Sequence, residues 1–420
     1  MSQIMKTILA GFDDLPRVLL RKLILCKLAE GAVVMPDEAV EGLIDHILSR
    51  AEGDFVWDGP DGLDDVSLTF TEEDEAELER MIGAIGPSVT SVVNEVIEGF
   101  SKDLFADLWS KWPLERALQE ADVQGFQERL EERWGEGLDY LRMLLTCCRE
   151  VGGETYKRHN RSKAKRFAYR RWVLVRLHSR ACQIADEIIC LMENGFADGA
   201  LARWRTLHEL SVVAALIADG DEDLAERYIN HDAVEVKKQA DEYEAVQVPL
   251  GFGPLARRSR RQIEKRYDAA IARYGQTFSH PFGWAAHHLG MKKPTFKDLQ
   301  EAADRTEFSS FYKLASFNVH ASARSLFFNL ASMGSSDVLL AGRSNAGLAE
   351  PGERTAHTLL YVTSLFVGNV GQNIERLAEM KSLLINRDKV GPALAKAERQ
   401  LAKDERALAE PPSGKRAGNN

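Results

Sequence analysis

The chain has 420 residues, 45% hydrophobic and 28% charged, the composition of a globular protein that can bury a core without disulfide or metal staples. Its 64 Asp and Glu outnumber its 54 Lys and Arg, a formal charge of −10, which excludes a uniformly basic coat for nucleic acid and leaves only local patches. No stretch approaches the ~20 apolar residues of a membrane-crossing helix. Five cysteines without a CxxC pair, Cys26, Cys147, Cys148, Cys182 and Cys190, read as reduced thiols, so a cytoplasmic protein without membrane contact is expected.

Helical periodicity runs through almost every long segment. Residues 1–30 read as a helix with Pro16 as a break, and Pro36 stands where the next one starts. The Gly, Pro and Asp of 54–70 mark a turn, with a short strand expected at Val66–Phe70. Thr71 reads as a helix N-cap, with Asp74 and Glu75 in the first turn. Two or three amphipathic helices are expected over 86–151, punctuated by Pro113, Gly135 and Gly137, with a joint at Gly152-Gly153. Residues 156–180 then hold ten Lys and Arg and no acid. Their second half continues into a helix ended by Asn194-Gly195, and another follows from Asp198 to about Ala218. A polar helix, a loop over 246–256, a basic helix and an irregular aromatic segment come next. Helices over 305–332, 353–381 and 388–409 follow, and PPSGKRAGNN reads as a disordered tail. The expected fold is all-α: an acidic N-terminal helical region (1–152), a C-terminal helical bundle (153–385), and a charged helix with tail (386–420).

Candidate chemistry concentrates on GALARWRTLHELSV, residues 199–212. At 100° per residue, Leu201, Trp204, His208, Ser211 and Ala215 share one face. Arg205 and Glu209, four apart, have ion-pair spacing. Arg203 lies about 140° from His208, so the two can converge only on a ligand held across the helix or on a second subunit. Arg203-x4-His208 is similar to the Arg-x4-6-His signature of the HEPN superfamily, all-α proteins that include toxin and defence ribonucleases. Here the resemblance spans about residues 166–332, and it departs where Trp204 replaces the small polar residue that often follows the motif Arg. It implies metal-independent RNA cleavage at a site shared by two protomers, in bacterial stress or phage defence. His208 would be the general base and Arg203 the phosphate clamp. The longer segments LARWRTLHE and FNVHASARS resemble an uncharacterised bacterial all-helical domain family, in which Arg205 and Glu209 matter as much as Arg203 and His208.

In FYKLASFNVHASARSLFFN, residues 311–329, Ser316, His320 and Arg324 fall on one line at i, i+4, i+8. His320 is the second choice as acid or base, with Ser316 and Arg324 in support. Lys157, Arg158, Arg161, Lys163, Lys165, Arg166, Arg170 and Arg171, interleaved with aromatic residues, are candidates for holding a nucleic-acid backbone; residues 257–266 form a second basic run. Arg227, Asn230 and His231 read as a surface polar group. His280, His287 and His288 lack carboxylate or thiol at supporting spacing, so no metal is expected, and no cofactor. RNA is the expected partner, with homo-oligomerisation; the alternative is a non-enzymatic helical protein that mediates assembly with a protein partner.

Overall fold

The structure is a computed structural model that describes residues 15–49, 53–57, 67–69, 71–161, 168–320, 322–327, 330–331, 340–369 and 374–409. Among these residues there are thirteen α-helices and no strand, so the protein is all-α as its periodicity predicts. The chain divides into two compact units, Met1–Leu118 and Gln119–Asn420.

In the first unit, α1 (Leu15–Glu30) and α2 (Asp37–Leu48) bury Ile24, Leu28, Val40 and Ile44 against each other, with Leu68 packed on them. Pro36 occupies the N-cap position of α2, as its fixed φ favours. Around this small core Arg17 pairs with Glu41 at 2.9 Å and Asp45 at 2.7 Å, and Arg21 with Asp37 and Glu41. Of the strand expected at Val66–Phe70, Ser67–Thr69 are described and form none; Val66 and Phe70 lie outside the described residues, as do residues 1–14. α3 (Glu72–Arg161) starts after Thr71, whose N–H and hydroxyl both donate to the Asp74 carboxylate, at 2.7 and 2.9 Å.

The two or three helices expected over 86–151 are this one continuous helix, which crosses into the second unit. Leu130, Trp134, Leu138, Leu141, Leu145 and Cys148 repeat at steps of three and four, and all are buried. Two of the glycines read as punctuation, Gly137 and Gly152, serve packing instead. A Cβ at Gly137 would collide with Leu394, and one at Gly152 with the His178 ring. The helix runs unbroken through Gly152-Gly153.

Across the second unit, α4 (Tyr169–Glu193) ends as expected, in a Schellman turn. Gly195 N–H donates to Met192 O at 3.0 Å, Phe196 N–H to Leu191 O at 2.9 Å, and Gly195 has φ +75°. α5 (Ala197–Asp219) follows at once as the central helix. Fourteen of its 23 residues are buried, against α4, α11 (Ser309–Val319) and α12 (Ala349–Gly368). The expected polar helix is two, α6 (Glu222–Asn230) and α7 (Asp232–Val246), broken at a buried His231. His231 is thus no surface group: its Nε2 donates to the His280 carbonyl at 2.9 Å, and burial lowers its pKa. The basic helix is α8 (Arg257–Tyr274). The aromatic segment contributes a one-turn helix, α9 (Gly283–Ala286), and a short capped helix, α10 (Phe296–Ala302), follows.

The helix expected over 305–332 is shorter. α11 stops at His320, Ser322 is extended, and a 3-10 turn spans Ala323–Leu326. Ser316, His320 and Arg324 therefore do not form an i, i+4, i+8 line. In place of the helices expected over 353–381 and 388–409, α12 ends at Gly368 and a long α13 (Ile374–Ala409) takes in the rest and runs through Pro392. The tail after Ala409 lies outside the described residues.

Candidate functional site

α5 separates its polar residues into two environments. Its predicted apolar face is wholly interior: Leu201, Trp204, His208, Ser211 and Ala215 all have 0% exposure. Trp204 donates its indole N–H to Thr358 Oγ1 at 3.0 Å, and its ring stacks on His208 with centroids 5.3 Å apart. Phe296, Phe308 and Tyr312 close the remaining sides of the imidazole. The Gln300 amide of α10 donates to His208 Nε2 at 2.9 Å, which leaves the proton on Nδ1 without a partner among the described residues. Burial, and then the nearby Arg305 charge, push the His208 pKa down to about 4. The ring is held neutral and out of reach of solvent.

Arg203 does not meet it. It forms an ion pair with Glu187 of α4 and a 3.4 Å bond to Thr206 Oγ1. The structure thus places the two residues of the Arg-x4-His spacing in separate surroundings, one guanidinium against α4 and one imidazole in the core.

Arg205 and Glu209 behave differently. Arg205 Nε donates to Glu209 Oε1 at 3.1 Å, and its Nη2 to the Tyr312 hydroxyl at 3.0 Å. The Tyr312 hydroxyl donates to the same Glu209 oxygen at 2.7 Å. Arg205 Nη1 donates to His320 Nε2 at 2.9 Å, which fixes that imidazole as an acceptor on this side. His320 itself is exposed. Burial, reinforced by the Glu209 bond and charge, pushes the Tyr312 phenol up to about 12. Tyr312 was missed in the sequence; its one signal is its place four residues before Ser316, whose Oγ donates back to the Tyr312 carbonyl at 2.7 Å. Arg324 lies exposed in the 3-10 turn.

The position of His320 is set from α5. The Asp198 carboxylate, in the first turn of α5, accepts from Asn318 Nδ2 at 3.0 Å and from the backbone N–H groups of Leu330 at 2.9 Å and Ala331 at 3.1 Å. It clasps the segment that carries His320 on both sides.

Arg205, Glu209 and Tyr312 form one wall of a cleft of about 1050 Å³. Trp172, Tyr228, Phe282, Trp284 and Phe296 give it an aromatic lining, and Arg180 and Arg266 add two further guanidinium groups. Asp232 holds Arg266 at 2.8 Å. The Arg176 guanidinium stacks over the Trp172 ring at 3.4 Å. The volume lies at the upper end of ordinary small-ligand clefts.

The described residues of the expected basic run meet different surroundings. Lys157 and Arg158 are exposed on α3, with Lys157 paired to Glu154 at 3.0 Å. Arg170 instead donates to the Gly220 carbonyl at 2.9 Å, closing the C-terminus of α5, and Arg171 is half-buried. Lys163, Lys165 and Arg166, and the side chain of Arg161, lie outside the described residues. On α8, Arg260 is held by Asp241, Glu244 and Glu264. Among the described residues no group of three or more His, Cys, Asp or Glu could hold a metal ion, and no helix is long and apolar enough to cross a membrane.

Fold and cleft together define a helical-bundle domain with a ligand-sized, arginine- and aromatic-lined site. Residues 171–336, from α4 to beyond α11, match a family described as a family of unknown function, DUF5677. That match fits the expectation of an uncharacterised domain. No curated protein and no solved structure matches the chain.

Proposed function

We propose that the α4–α12 bundle is an RNA-binding effector module that takes a single strand into the Arg205–Tyr312 cleft. The observation that carries this reading is the fixed network Arg205–Glu209–Tyr312 on the wall of an aromatic cleft, from which Arg205 also reaches the exposed His320. Aromatic faces such as Trp172 and Phe296 offer stacking to any base. Arg205 and Arg180 offer guanidinium forks to phosphate. The carboxylates that hold the guanidiniums also compete with phosphate, so stacking dominates the affinity. Binding should then depend only weakly on salt, with a slope of roughly one to two phosphate contacts.

The cleavage reading moves with the geometry. A base for the 2′-hydroxyl must reach solvent, and a clamp must lie beside it. His320 and Arg205 satisfy both conditions; the buried His208 and the α4-bound Arg203 satisfy neither. In that reading Arg205 turns from His320 to the phosphate and faces the phosphorane charge, and the His320 Nε2 lone pair it vacates takes the 2′-hydroxyl proton.

The test is fluorescence anisotropy of a short single-stranded RNA, followed by gel analysis of the same samples. Wild-type binding that weakens roughly tenfold in Arg205→Gln supports the cleft. RNA cut by the wild type and left whole by His320→Ala, at equal binding, supports His320 as the base. Binding without cutting leaves a binding module. No binding by the folded wild type rejects the proposal.

A further inference from the structure

An apolar face lies on α3 between Ile97 and Leu118, in the first unit. Nine large apolar side chains there are exposed, among them Phe100 at 61%, Phe105 at 66%, Leu108 at 59%, Trp109 at 65% and Leu114 at 70%. Phe105 and Trp109 stack on each other in the open, with ring centroids 6.3 Å apart. At about 100 Å² of open surface each, the nine present about 900 Å². That exceeds the ~300–600 Å² of the largest patch on a typical monomer. It matches the ~800 Å² per partner of a stable interface.

We infer that a second copy of this chain docks antiparallel on this face and closes a homodimer about a two-fold axis beside Asp107. The pattern of the helix is self-complementary about that point. Glu98 and Arg116 are eighteen positions apart, five whole turns, so they share one flank, with Phe105 and Trp109 between them. An antiparallel two-fold brings the same flank of each copy together. With the axis beside Asp107, Glu98 comes level with the second copy's Arg116, and Phe105 with its Trp109. On the other flank Phe100 comes level with the second copy's Leu114. Near the axis Asp107 is already neutralised by its own Lys111, at 2.6 Å. The polar residues of the segment, Glu98, Asp103, Asp107 and Glu115 against Lys102, Lys111 and Arg116, lack the Lys/Arg excess of a helix that lies on anionic lipid or nucleic acid. This inference is independent of the RNA reading.

The experiment uses the full chain with the exposed Cys26 and Cys190 changed to serine. Light scattering of the parent is expected to give twice the 47.0 kDa of one chain. Trp109→Glu should raise the dimer Kd more than about thirtyfold, with the helical circular dichroism unchanged. Glu98→Arg and Arg116→Glu should each weaken the dimer, and the double reversal should restore it. Leu108→Cys, one residue from the axis, should cross-link two copies on oxidation. Ile97→Cys should not, because an antiparallel pair holds the two positions about 30 Å apart along the helix. A monomer at up to about 100 µM, or a dimer indifferent to Trp109→Glu, overturns the inference and leaves the face to a different protein or another segment of the chain. Cross-linking through Ile97→Cys overturns the antiparallel pairing.

Discussion

His208 and Arg205 stand three positions apart on α5 and meet opposite physical conditions. The imidazole is enclosed by Trp204, Phe296, Phe308 and Tyr312, with one amide for company, and its charged form is suppressed. The guanidinium is one-fifth exposed, reaches three side chains from two helices, and lines a cleft. The helix period makes the difference: position 208 continues the 201–204 face, while 205 and 209 are rotated off it. A two-letter spacing motif does not register that rotation. The residue type suited to chemistry can thus fall on the side of the helix where it serves packing.

The largest effect that can sharpen this contrast is on the inner face. Trp204→Ala should cost about 3–5 kcal/mol in denaturant unfolding, because it opens a cavity and removes the indole donor from Thr358. A loss below about 1 kcal/mol would show that this face is not the core.

Next in size is the acid response. His208 and His178 are both held down to about 4 by burial, whereas the unfolded chain takes up these protons near 6.5. Between those values the unfolded state binds more protons, so stability falls as the pH drops from 6.5 toward 4, by about 3 kcal/mol per histidine. His208→Gln should flatten that limb of a pH–stability curve; an unchanged curve would mean that the imidazole is solvated. The smallest effects separate the two arginines. Arg205→Lys keeps the charge but cannot hold Glu209, Tyr312 and His320 together, and should cost about 1–2 kcal/mol and weaken RNA binding. Arg203→Lys, at a half-buried pair with Glu187, should stay within about 0.5 kcal/mol and leave RNA binding unchanged.

Much of the fold was legible where local signals are strong. The apolar repeat of α5, the Asn194-Gly195 stop, Pro36 before α2 and the Arg205–Glu209 spacing all depend on residues within a turn or two of each other. What stayed hidden depends on distant partners. Gly137 and Gly152 read as breaks because the residues that need their missing side chains, Leu394 and His178, lie far along the chain. Gln300 gives no hint that it will hydrogen-bond His208, 92 positions away. The bend at His320 is imposed in part by Asp198, more than a hundred residues earlier, and it removes the Ser316–His320–Arg324 line that periodicity suggests. The cleft itself is assembled from α4 to α11 and has no single-segment signature.

The Asp198 clasp has a mechanical consequence. One carboxylate at the start of α5 anchors both ends of the strap on which His320 rides, and the same helix supplies Arg205 a little under two turns further on. Anchor and guanidinium therefore move as one rigid lever. Any tilt of α5 carries the imidazole along with its partner, so the alignment of Arg205 with His320 tolerates rigid-body shifts of the bundle but is exposed to the loss of a single acidic side chain remote from the cleft.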